Sequence, residues 1–152
     1  MDTLDLRPHH LLDIVRDYAP DDDPDYVRAP GENGVRTVTR MLTNGIDFRA
    51  RFVIGPDFIC RPCSHLQPND RCDRILERHD PPEPMDDYND PLDARILGFL
   101  GLEEGVELTV RRFLEMANAR LPGIEEVCTH PTEQQESRRD GLIRGMAALG
   151  IR

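Results

Sequence analysis

The chain has 152 residues, of which 38% are hydrophobic and 5% aromatic, with no Trp. That length fits one domain burying roughly two-thirds of its unfolded surface, and the modest apolar supply leaves room for a bound metal to contribute folding energy. A formal net charge of −10 argues against nucleic acid or anionic membrane as partners, because both are bound by clustered cations.

All 19 basic residues are Arg, and Arg7 is the one singled out for bidentate pairing with a carboxylate or phosphate. No apolar run approaches the roughly 20 residues that span a bilayer. The opening MDTLDLRPHH lacks a basic stretch followed by an apolar one, so a cytosolic, reducing location is expected.

Pro8 suits the first turn of a helix, and Leu11, Leu12, Ile14 and Val15 continue an apolar face to about Tyr18. Asp21 to Asp25 reads as a charged turn and residues 29–34 as a loop. Val35, Val38, Met41 and Leu42 have helical spacing, and Asn44-Gly45 supplies a stop. From Ile46 to Ile54 the apolar residues Ile46, Phe48, Ala50, Phe52 and Ile54 alternate with Asp47, Arg49, Arg51 and Val53, the period of a half-buried strand closed by Gly55-Pro56.

Cys60 to Cys72 is broken by Pro62, Pro68 and Asn69-Asp70, which predicts an irregular loop, with a short helix over about 71–79. Residues 80–91, DPPEPMDDYNDP, read as an exposed acidic, Pro-rich connector able to act as a flap. A helix is predicted over 92–100, ended by Gly101, and a longer one to Leu121 with Thr109 as N-cap. A last helix is predicted from about Thr132 to Leu149. The expected fold is thus α+β and mainly helical: a single metal-binding domain over 1–152, with about five helices and one or two strands around a cysteine-rich loop.

The chemistry concentrates on sulfur. Cys60 and Cys63, two residues apart, can present both sulfurs to one metal centre; Cys72 follows on the same loop and Cys128 returns from far downstream. In a reducing compartment such a set favours ligation over disulfides. Four thiolates suit tetrahedral zinc or a [4Fe–4S] cluster, and one compact loop with a distant cysteine leans towards iron–sulfur. Buried free cysteines or a redox-active pair are the alternatives. RPHH at Arg7 to His10 forms a second cluster: on a helix His9 shares a face with Asp13, so His9, His10 and Asp13 are candidates for proton transfer or ligation. His65 and His130 are substitute ligands.

LRPHHLL at Leu6 to Leu12, GPDFICRPC at Gly55 to Cys63, Cys72, and LGLEEGVELT at Leu100 to Thr109 together resemble the small bacterial and archaeal proteins classed as domain of unknown function 1284. That resemblance runs along most of the chain and implies an iron–sulfur site without naming a reaction. The family often carries Cys directly after RPHHLL, where this chain has Asp13, and tends to end with a second C-x-x-C, where this chain has Cys128 and then Pro131. The fourth ligand beside Cys60, Cys63 and Cys72 is then expected to be either Cys128 or Asp13, and the chemistry of the site, rather than the resemblance, suggests an open or carboxylate-ligated iron acting on a small sulfur-containing molecule as a non-redox lyase, hydrolase or sulfur-transfer enzyme. A structural zinc module and a small electron-transfer protein remain the alternatives, and the oligomeric state is left open.

Overall fold

The computed structural model describes residues 3–18, 33–77, 79–127 and 134–152. The chain begins with a short strand, β1 (Leu4–Leu6), and turns at Pro8 into helix α1 (Pro8–Arg16). Helix α2 (Asn33–Asn44) precedes strand β2 (Arg49–Phe52), which pairs in parallel with β1, placing Leu6 opposite Phe52. A parallel pair requires a crossover, and here α1 and α2 lie in it. On its other edge β2 pairs antiparallel with β5 (Glu107–Thr109), giving the sheet order β1-β2-β5.

The alternation predicted for 46–54 is present, but only its centre is a strand. Ala50 and Phe52 are buried while Arg49 and Arg51 face solvent, and Phe52 stacks on Phe113 at 4.1 Å. The flanking carbonyls serve a helix start: Phe48 and Ile46 accept from the Val110 and Arg111 amides. Those donors head helix α4 (Val110–Asn118), whose predicted cap is present, Thr109 Oγ1 accepting from the Arg112 amide at 3.1 Å.

The last helix, α5 (Gln135–Ala148), packs across α1. Its glycines permit the crossing, because a Cβ at Gly145 would overlap the Val15 carbonyl oxygen and one at Gly141 would press on Arg16. A third close approach, Gly34 of α2 against the Ile59 backbone, seats the cysteine loop. The core runs between the sheet and the helices, with Leu6, Leu11, Val15, Val38, Phe52, Phe113, Leu114 and Leu142 wholly or almost wholly inaccessible to solvent. The architecture is the small, mainly helical α+β domain expected, with five α-helices among the described residues.

Three expectations change. Residues 80–91 are not an exposed connector: Glu83–Pro84 forms β4, paired with β3 (Ile75–Leu76), and Met85 begins helix α3 (Met85–Phe99), in which Asp86 and Tyr88 are buried. The helix predicted over 92–100 is therefore the second half of a longer one. Its first half was hidden because its inward positions Asp86 and Asp90, continued by Asp93 in the second half, keep helical spacing in carboxylates rather than apolar side chains, all three pairing with buried Arg7. The short helix predicted near 71–79 is instead the β3 hairpin strand, and the count of one or two strands becomes five among the described residues, because four are only two or three residues long.

Candidate metal centre

The centre is assembled at the N-terminus of α1. Arg7, the N-cap residue, provides no side-chain cap, and the free amides of this turn find remote carboxylates instead. Asp57 Oδ2 accepts from the Arg7 amide at 2.7 Å, and Asp93 Oδ1 accepts from the His9 amide at 2.9 Å. Each carboxylate then takes a histidine from the same turn: Asp57 Oδ2 holds His10 Nδ1 at 2.9 Å, and Asp93 Oδ1 holds His9 Nδ1 at 2.8 Å. In both rings this leaves Nε2 as the nitrogen able to act on something else. The rings lie 4.4 Å apart, tilted by 52°.

Asp57 also builds the cysteine knuckle. Its Oδ1 accepts from the Ile59 and Cys60 amides, both at 3.0 Å, and Cys63 N–H closes the turn onto the Cys60 carbonyl at 2.9 Å. With four donors on one buried carboxylate, Asp57 is saturated. Burial pushes its carboxyl up, but the His10 ring and the donated amides outweigh burial and hold it well below the usual carboxylate range. The His10 imidazole moves the opposite way: burial lowers it, and Asp57 more than compensates, so it is raised.

Cys72 is fixed by a third carboxylate, Asp86, whose Oδ2 accepts the Cys72 amide at 2.8 Å. Arg7 ties these parts together. Its guanidinium, 2% exposed, reaches Asp93 and Asp90 at 3.0 Å and Asp86 at 3.4 Å, so one fork links the carboxylate under His9 to the carboxylate under Cys72.

The predicted residues converge. His9, His10, Asp13, Cys60, Cys63 and Cys72 all line one cavity of about 350 Å³, together with Arg7, Arg74 and Arg138. Among the described residues one set of three metal-capable donors lies within 4.8 Å of one another: His10, Asp57 and Cys60. Asp13 stands apart from that set, held by Arg138 at 2.9 Å and Arg16 at 3.5 Å. His65 is half-buried, paired with Asp73, and does not line the cavity. Cys128 and His130 lie outside the described residues, as do the predicted turn at 21–25 and most of the loop at 29–34.

Cys60, His10 and Asp57 have the residue types of a nucleophilic triad, but electrostatics oppose that use. Burial, reinforced by the Asp57 charge, pushes the Cys60 thiol up to about 12, so it stays protonated near neutral pH where a nucleophile needs the thiolate. Burial, with Asp86 close by, also raises Cys72. A metal reverses this balance, because a coordinated thiol gives up its proton.

Asp57, Asp86, Asp93 and Arg138 are the participants that sequence reasoning missed. Asp57 had a legible signal, since an Asp three residues before Cys60 is placed to cap the turn that presents the sulfur; Asp86 and Asp93 had only their spacing. Among the described residues, no helix is long and apolar enough to cross a membrane. No protein-family model, curated protein or solved structure significantly matches this chain.

Proposed function

We propose that the chain binds a [4Fe–4S] cluster through Cys60, Cys63 and Cys72, and that the remaining iron, bound by no cysteine and facing the cavity, serves non-redox chemistry on a small sulfur- or oxygen-bearing molecule. The observation carrying this reading is the convergence of three thiols and two carboxylate-oriented histidines on one cavity. The donor set suits the group, since thiolates are the usual ligands of iron–sulfur clusters. Arg7, Arg74 and Arg138 line the same cavity and offset part of the negative charge that thiolate ligation creates.

When bound, the cluster would supply a Lewis-acidic iron. The chain's own residues divide the remaining tasks. Asp93 holds His9 in one tautomer with Nε2 directed away from the carboxylate, the arrangement of a positioned proton carrier. Asp57 and Asp86 fix the backbone from which Cys60 and Cys72 project.

Protein purified without oxygen should be coloured, with broad visible absorbance and about four irons and four sulfides per chain. Colourless protein carrying one tightly held zinc would overturn this reading in favour of the structural module. Cys72→Ala should lose the metal, and full retention would remove Cys72 from the ligand set.

A further inference from the structure

We infer that His10, through Nε2, is the fourth protein ligand of this centre, beside Cys60, with Asp57 as the carboxylate that orients it. This rests on the proposed metal centre and assigns the position for which the family resemblance offers Cys128 or Asp13.

Among the described residues, His10 is the one imidazole in a compact donor set with a cysteine, a ring nitrogen of His10 lying within 4.8 Å of Cys60 Sγ. The carboxylate in that set is not available as a ligand. Asp57 already accepts four hydrogen bonds, from the Arg7, Ile59 and Cys60 amides and from His10 Nδ1, which occupy both of its oxygens. Because Asp57 is ionised, Nδ1 must be the donor, which leaves the Nε2 lone pair free for a metal. A carboxylate on the far nitrogen is the usual support of a metal-bound histidine, setting its tautomer and increasing its basicity.

The ring is also anchored through its backbone. It sits in the first helical turn behind Pro8, and the same Asp57 oxygen that holds Nδ1 holds the Arg7 amide. Asp13 lacks these features: its carboxylate is committed to Arg138 and Arg16 and is 38% exposed. His9 has a comparable carboxylate in Asp93 but no thiol in a compact set, which leaves it as the proton carrier.

The test uses Co(II) alone as the probe, added without oxygen to the metal-free full-length chain. Cobalt–thiolate charge-transfer bands report the cysteines. Paramagnetic proton NMR reports the imidazole, since a ring bound through Nε2 gives a strongly shifted Nδ1–H resonance that disappears in D2O. One such resonance is expected in the wild-type protein. It should vanish in His10→Ala, with Co(II) binding at least roughly 10-fold weaker, and persist in His9→Ala.

Thiolate bands without that resonance in the wild-type protein, or its survival in His10→Ala, would overturn the assignment. Should His10→Ala not fold, Asp57→Asn serves: it keeps the ligand but should weaken Co(II) binding roughly 10–100-fold and speed exchange of the shifted proton, and no change in either would refute the role of Asp57. A chain that shows the His10 resonance with Co(II) but assembles no cluster from iron and sulfide would sink the iron–sulfur reading and keep His10; a cluster on a chain lacking the resonance would do the reverse.

Discussion

Asp57 is 1% exposed and receives donors from two separate parts of the chain, the α1 turn and the cysteine loop. Replacing it by Ala would leave three amides and one imidazole N–H without their acceptor in a buried place, where each unsatisfied group costs roughly 1–3 kcal/mol before relaxation. Removing one member of a buried charged pair costs about 3–5 kcal/mol. Asp57→Ala in the metal-free chain should therefore lower unfolding free energy by about 3–5 kcal/mol, measured by urea titration, and a loss below about 1 kcal/mol would show that the network has little energetic weight. The candidate cysteines and the RPHH histidines were legible at this scale because their chemistry belongs to the residue type. Asp57 was legible only as a cap of the cysteine turn; its hold on the α1 turn was not, because that role depends on which donors the fold brings to it.

Among the elements, α3 and α5 differ in how they are held to α1. Helix α3 is joined through charge. Arg7 lies among Asp86, Asp90 and Asp93, and its planar fork can satisfy several carboxylates at once where an ammonium cannot. Arg7→Met should destabilise the chain by about 3–5 kcal/mol through carboxylates left buried and unpaired. Arg7→Lys should recover less than half of that loss, so full recovery would show that net charge rather than fork geometry matters. Helix α5 is joined through close backbone approach. Gly145→Ala inserts a methyl group where the Val15 carbonyl lies, and the resulting overpacking should cost roughly 1–3 kcal/mol despite alanine's better helix propensity. An unchanged melting temperature for Gly145→Ala would contradict the crossing geometry.

The helix carrying Val110, Phe113, Leu114 and Ala117 could be read in advance because its inward face is apolar and its cap is local. The strand at Arg49–Phe52 was visible in its alternation, although its ends were overestimated because Ile46 and Phe48 keep the buried face while their carbonyls start α4. The first half of α3 was illegible for the opposite reason. Its inward face is acidic, and acidic residues next to prolines resemble a solvated connector until the buried arginine they surround is known.

At the scale of the whole molecule, buried carboxylates give the metal-free chain a defined pH window. For Asp57 and Asp93 burial pushes the carboxyl up, but imidazole, guanidinium and amide partners prevail and hold both below the ordinary value near 3.8. A depressed carboxylate stabilises the fold above its unfolded value, and that contribution is lost as pH falls. His10 is raised above 6.5, so its contribution is complete below 6.5 and is lost as pH rises through the folded value. Urea midpoints of the metal-free chain should accordingly form a plateau from about pH 5 to 6.5, fall below about pH 4, and decline again on the alkaline side. In Asp93→Asn the acid limb should be shallower; an identical limb would remove Asp93 from this account.

The sequence by itself determined the chemistry on offer: three cysteines on a loop that cannot become regular structure, two histidines at a helix start, and a mainly helical α+β pattern. These follow from residue type, proline placement and apolar period, all of them local properties. Only the tertiary structure decided that α1, the cysteine loop and α3 meet at one cavity, that Asp13 faces Arg138, and that His10 stands beside Cys60. The physical reason is that a buried charge is stable only where partners from distant segments complete its hydrogen bonds, so Arg7, Asp57, Asp86 and Asp93 acquire their roles only once the chain has folded.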